Sequence, residues 1–159
     1  MPIVLLAERP ETIPTLASCF VAEWPDYYRQ VRAAKADLRE CLSTERLPIG
    51  LVACDGHVPV GFIALRERAI TEMPGHGPGL GALYVAPSHR ARGLGSRLVL
   101  RGMDLARALG HRTVYAVTAR PGKIFTRAGW EARGPLPHKG QSLALYRWRA
   151  DEHSRADTD

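Results

Sequence analysis

The stretch Leu83 to Ser96, LYVAPSHRARGLGS, constrains this chain more than any other. An apolar strand passes through a proline turn into a basic loop with two glycines, and the loop opens directly into a long helix. The first backbone N–H groups of a helix lack internal acceptors, the helix dipole puts partial positive charge there, and glycines let an anion approach the backbone. Arg90 and Arg92 add full charges nearby. The junction is therefore an anion site built mainly from backbone.

Spacing excludes two common glycine motifs. A Walker loop needs Gly-Lys-Ser/Thr after four intervening residues, which this stretch lacks. A dinucleotide fingerprint needs a small residue three after its second glycine, and Leu98 stands there.

The rest of the chain reads as a mixed α/β succession. Pro2 to Ala7 is a short apolar strand, and Ile13, Leu16, Phe20 and Val21 have helical spacing within a helix from Glu11 to Glu23. Trp24-Pro25-Asp26-Tyr27-Tyr28 breaks it, and a second helix fits Val31 to Leu42. Gly50 to Cys54, the turn Asp55-Gly56, and Val58 to Leu65 form a hairpin. Ile70 to Leu80, with three glycines and two prolines, is a loop leading into the strand Gly81 to Val85. Leu94, Leu98, Gly102, Leu105 and Leu109 make one apolar stripe on a helix that stops at Gly110. Thr113 to Thr118 is a β-branched strand, Gly122 to Ala128 a short amphipathic turn, and Ser142 to Arg149 a last strand. From the hairpin onward the order is hairpin, strand, helix, strand, helix, strand.

At 159 residues and 45% hydrophobic content, with no repeat or linker, the expectation is one domain over 1–150 and a disordered polar tail over 151–159. No stretch reaches the roughly 18 to 20 apolar residues of a membrane span, and no basic start precedes an apolar signal region. A cytoplasmic setting without a membrane partner is expected. Cys19, Cys41 and Cys54 match neither a disulfide framework nor a zinc pattern, so they read as buried or half-buried thiols, and no metal is expected. Twenty-two Lys+Arg against sixteen Asp+Glu give +6, carried by arginine, since the only lysines are Lys35, Lys123 and Lys139. That balance favours an anionic ligand. The basic residues are dispersed and no groove-reading motif occurs, so no nucleic-acid partner is expected.

Arg90-x-x-Gly93-x-Gly95, following a strand and a proline turn, resembles the pyrophosphate loop of the GNAT superfamily of acyl-CoA-dependent N-acyltransferases. The resemblance extends over Leu51 to Trp130: hairpin, central strand ending Leu83-Tyr84-Val85-Ala86-Pro87, loop and helix, next strand, and a short helix closed by Gly129-Trp130. It implies an α/β (α+β) fold, a mixed, mostly antiparallel, splayed sheet flanked by helices on both faces. It also implies that Arg90, Ala91, Arg92, Gly93, Leu94, Gly95 and Ser96 hold the pyrophosphate of acetyl-CoA. Pantetheine would lie along Leu83, Tyr84 and Val85, bonding free backbone groups as an added strand would. A backbone N–H near Val85 would polarise the thioester carbonyl.

The reaction implied is direct attack of a primary amine on the thioester in a ternary complex, yielding an N-acetylated product. Two departures from the family pattern bear on it. The usual acidic position before the strand's valine falls near Gly79, so a base must come from elsewhere; Glu67, Glu72 and His76 are candidates, as is a water chain. The tyrosine that often lies four residues before the Gly-aromatic pair is Phe125, which has no proton to give a leaving thiolate. The frequent asparagine after the second splayed strand is Thr118, and the small residue three later is Pro121. Either solvent protonates the leaving group, or Tyr84, Tyr115 or Lys123 substitutes, or the protein is a non-catalytic acyl-CoA-binding or sensor module. Thr118 and Phe125 remain cofactor-side candidates by position.

The acceptor side is assigned to Trp24, Tyr27 and Tyr28, an aromatic cluster with Asp26 suited to a cationic amine, and to His138 before the last strand. Core capping accounts for the aromatics equally well, and an exposed turn accounts for His138. The acceptor itself, small molecule or peptide, is left open. The family includes dimers, and a homodimer is an open alternative.

Overall fold

The computed structural model describes residues 1–70, 73–120 and 122–150. Glu72, Pro121 and the expected tail over 151–159 lie outside the described residues. Among the described residues no helix is long and apolar enough to cross a membrane.

The chain forms two compact units, 1–64 with 82–98, and 65–81 with the residues from 99 onward. Strand β4 (Gly79–Val85) and helix α3 (Leu94–Ala108) contribute residues to both.

In the first unit, β1 (Ile3–Leu5) pairs antiparallel with β2 (Ile49–Asp55), Ile3 opposite Ala53 and Leu5 opposite Leu51. β1 is shorter than the expected strand because Leu6–Glu8 coil into a tight turn, with the Leu5 N–H donating to the Glu8 carboxylate at 3.1 Å. β2 joins β3 (Val58–Arg66) through Gly56-His57, Gly56 supplying a left-handed φ of 64°; a two-residue connection of this kind makes the strands antiparallel. Helices α1 (Ile13–Glu23) and α2 (Val31–Glu40) lay Leu16, Phe20, Ala34 and Leu38 on a core with Val52, Phe62, Ala64 and Tyr84. α2 stops short of the expected Leu42, which bridges to Ile49 instead.

Alternate residues of these strands face the start of α3. A Cβ added at Gly61 would stand 2.9 Å from Leu98 and 3.1 Å from Leu94, so the glycine lets the helix settle on the strand. Coverage on both faces explains why β2 and β3 read as near-continuous apolar runs rather than alternating ones.

In the second unit, β4 meets the parallel β5 (Thr113–Thr118) with Gly79 opposite Tyr115, where the Tyr115 N–H donates to the Pro78 carbonyl at 2.9 Å. β4 begins two residues earlier than the apolar run suggests. β5 pairs antiparallel with β7 (Gln141–Arg149) along its whole length, Thr113 opposite Arg149 and Thr118 opposite Ala144.

One strand escapes the sequence reading altogether. β6 (Glu131–His138) pairs antiparallel with β7 and ends the strand order β4-β5-β7-β6. Its residues are mostly exposed, Pro135 and Pro137 interrupt it, and the register shifts between Ala132 and Pro135. An exposed, proline-bearing edge strand has no apolar alternation to detect.

Inside this unit Trp148 is buried beneath the Arg107 guanidinium, 5.2 Å from its ring centroid, and the Trp130 indole N–H donates to the Met103 sulfur at 3.1 Å. Trp130, Tyr146 and Trp148 are core residues.

Candidate active site

The turn after β4 positions the loop that the sequence marks as a candidate anion site. Pro87–His89 form a tight turn, in which the His89 N–H donates to the Ala86 carbonyl at 2.8 Å. The His89 ring bridges Ser88 Oγ at 2.8 Å and Asp55 Oδ2 at 3.0 Å, anchoring the turn to the β2–β3 hairpin. Ala91 and Gly93 then take left-handed φ values of 61° and 82°. The bond from the Arg97 N–H to the Gly93 carbonyl at 3.1 Å opens the α3 ladder, so the N–H groups of Leu94, Gly95 and Ser96 precede it. A Cβ at Gly93 would meet nothing within 4 Å. Open space beside the backbone, unengaged helix-start donors and the exposed Arg92 are what a phosphate requires, and the junction fits the pyrophosphate of acetyl-CoA.

Arg90 behaves differently from Arg92. Its Nε donates to the Val85 carbonyl at 2.9 Å and its Nη2 to Glu23 Oε2 at 2.9 Å.

On β4, Leu83 and Val85 are half-buried and Tyr84 is buried, edge-on to Phe20 and Trp24 with ring centroids 6.1 and 6.4 Å away. Burial, then a hydrogen bond shared with the Cys19 thiol, pushes the Tyr84 phenol well above its ordinary range. The phenol therefore holds its proton near neutrality. Cys19 is half-buried and Cys41 and Cys54 are buried.

The aromatic cluster after α1 divides in two. Tyr28 is buried, its hydroxyl donating to Asp37 Oδ2 at 2.6 Å, and Trp24 packs edge-on against Phe20 at 4.9 Å. These two cap the core. Tyr27 is 69% exposed, its ring edge-on to Tyr28 at 4.7 Å, and is the member presented to solvent.

The second unit holds the other candidates. His76 is half-buried and edge-on to Tyr115 at 5.3 Å, and its Nδ1 is buried with no hydrogen-bond partner among the described residues. Glu67 is exposed. At the end of β5 the Thr118 hydroxyl accepts from the Arg120 N–H at 3.1 Å, closing the turn. Phe125 lies in α4 (Ile124–Arg127), buried, stacked on Tyr146 at 5.3 Å and edge-on to Trp130 at 5.1 Å. His138 is half-buried at the end of β6, before the turn Lys139-Gly140. Among the described residues no group of histidine, cysteine, aspartate and glutamate could hold a metal ion.

Glu23 and Asp55 are the positions that sequence reasoning missed. Both act across long stretches of chain, on loop residues far away in sequence, and carry no local signal.

The acetyltransferase (GNAT) family model matches residues 10–127. This chain belongs to the GNAT family. Three solved structures show how closely the GNAT architecture is followed. An aminoglycoside 6'-acetyltransferase type Ii is 23% identical, with a TM-score of 0.74 over 94% of this chain and 97% of the other. A ribosomal-protein-alanine N-acetyltransferase from Brucella melitensis is 19% identical, with a TM-score of 0.73 over 94% and 99%. A GNAT-family N-acetyltransferase from Escherichia coli in complex with CoA is 23% identical, with a TM-score of 0.63 over 92% and 80%. At these identities the likeness concerns the fold. No curated protein matches the sequence.

Proposed function

We propose that this GNAT protein transfers an acetyl group from acetyl-CoA to a primary amine, with both substrates held together. The observation that carries the reading is the β4–α3 junction, whose left-handed Ala91 and Gly93 leave open space before a 15-residue helix. In this reading the N–H groups of Leu94, Gly95 and Ser96 hold the pyrophosphate, and Arg92 adds an exposed charge. Backbone groups of Leu83 to Val85 hold the pantetheine amides, and the N–H near Val85 is a fixed donor for the thioester carbonyl. Acetyl-CoA supplies an acyl group on a good leaving group. The chain supplies orientation and that donor.

Proton handling falls to few groups. Tyr84, held protonated, takes no proton from the amine. Glu67, Glu72, His76 and solvent remain for that step. Phe125 offers nothing to the leaving thiolate, so solvent protonates it, or Tyr84, Tyr115 or Lys123 does so. On the acceptor side Tyr27 and Asp26 are the exposed pair, and an exposed ring with a nearby carboxylate suits a cationic amine.

The burial of Phe125 in an aromatic stack favours a second reading, a module that binds acyl-CoA without turnover. Calorimetric titration with acetyl-CoA and with CoA, followed by turnover on an amine panel, separates the two. The panel should include an aminoglycoside and a peptide with N-terminal alanine, the acceptor classes in the names of two structural relatives. One-site binding with turnover of any amine supports transfer. Binding without turnover supports the module, and no binding overturns both.

A further inference from the structure

Arg90 occupies the first position of Arg-x-x-Gly-x-Gly, where a charge beside a phosphate is the obvious use, yet its side chain is engaged elsewhere. Nε donates to the Val85 carbonyl and Nη2 to Glu23 Oε2, both at 2.9 Å. Glu23 is the last residue of α1, and its side chain is 23% exposed against 45% for Arg90. The peptide group that Arg90 grips is also held from its other side, since the Ala86 N–H donates to the Val60 carbonyl of β3 at 2.8 Å. One peptide plane, at the point where β4 gives way to the loop, is thus fixed through both of its polar atoms.

We infer that Glu23 and Arg90 are positioning residues: Glu23 aims the Arg90 guanidinium at the Val85 carbonyl, and this brace, not a charge on the phosphate, is what Arg90 gives the cradle at 93–96. The inference rests on the proposed acetyl-CoA reading. A planar guanidinium can serve a carbonyl and a carboxylate at once in fixed geometry, which a single ammonium does poorly. The carboxylate also offsets the charge that Arg90 would present to a phosphate. Charge for the anion then comes from Arg92 and the start of α3.

The two uses of Arg90 predict opposite signs. Glu23→Gln keeps the side chain's shape and removes its charge. Were Arg90 a phosphate ligand, losing the competing carboxylate would tighten CoA binding; as a brace, it weakens it. The Kd for CoA, read by calorimetry on the full chain, is expected to rise roughly threefold to fivefold. Arg90→Gln and Arg90→Lys give a similar rise, with the salt dependence of Kd as steep as before, because no phosphate contact is lost. The pair Glu23→Gln with Arg90→Gln binds no worse than the weaker single variant. In the free protein, hydrogen exchange at the Ala86 amide speeds up in every variant. Tighter binding in Glu23→Gln, a flatter salt dependence in Arg90→Gln, additive losses, or unchanged exchange at Ala86 overturns the brace. If the unaltered chain binds no CoA, the proposed function falls, while exchange in the free protein still decides the brace.

Discussion

Strands β4 and β5 run parallel, and each passes through a short loop into a helix, but the two junctions do opposite work. After β4 the backbone turns left-handed at Ala91 and Gly93, where a Cβ added at Gly93 would meet nothing within 4 Å, and opens a 15-residue helix. After β5 the helix has four residues, and its Phe125 is buried between Tyr146 and Trp130. The first junction offers backbone donors and depends on what a glycine omits. The second depends on the volume of one ring. A role carried by backbone is preserved whenever the glycines are, whereas a role carried by a hydroxyl disappears with a single substitution and leaves packing in its place.

The sharpest way to break this contrast is to remove the ring. Phe125→Ala should cost about 3 to 5 kcal/mol in denaturant unfolding, the usual loss for a large buried aromatic. A cost below about 1 kcal/mol would show that the corner does not depend on it. Gly93→Asp attacks the other junction by putting a side chain and a negative charge where an anion should sit. CoA affinity should fall roughly a hundredfold by calorimetry, with the cooperative unfolding transition retained at a cost of about 1 to 2 kcal/mol, since a Cβ at Gly93 meets no neighbour but must take a left-handed φ of 82°. Unchanged affinity in the folded variant would remove the anion from this loop.

Phe125→Tyr asks whether the second junction can regain a chemical role. With the leaving thiolate otherwise protonated by solvent, kcat should rise about tenfold. An unchanged or lower kcat would show that proton delivery does not limit turnover. The smallest effect belongs to β6, where Arg147 and then Arg133 hold the Glu131 carboxyl below its ordinary value of 4.5. A lowered folded-state value means a contribution present above the unfolded value and lost as pH falls through the folded one. Glu131→Gln should therefore lower Tm by less than about 2 °C at neutral pH and by less still in acid. An equal shift at both pH values would exclude the ion pairs as its cause.

What the sequence disclosed follows the same division. β5 and the start of α3 at Leu94 appear where β-branched residues and the leucine stripe place them, and the hairpin is legible because both its strands are buried. Gly93 and Gly95 mark by type and spacing a loop that opens a helix, and Gly93 is left-handed where α3 begins. Arg90 did not disclose its partners, because Glu23 is 67 residues away and nothing local marks the pair. The same holds for His89 and Asp55, 34 residues apart. Tyr28 and Tyr27 are adjacent and chemically identical, so only packing could separate the buried one from the exposed one. β6 was illegible because Gly134, Pro135 and Pro137 are turn residues by composition, and only pairing with β7 on both sides of the register shift makes the segment a strand.

Those same residues bear on how the protein behaves in a crowded solution. An outermost strand normally presents a free row of donors and acceptors on which another chain can grow. In β6, Pro135 and Pro137 have no N–H to give, and the register shift after Ala132 bends the line that remains. Molecules meeting along this margin find no continuous ladder to extend, which guards against edge-to-edge aggregation when the chain is concentrated.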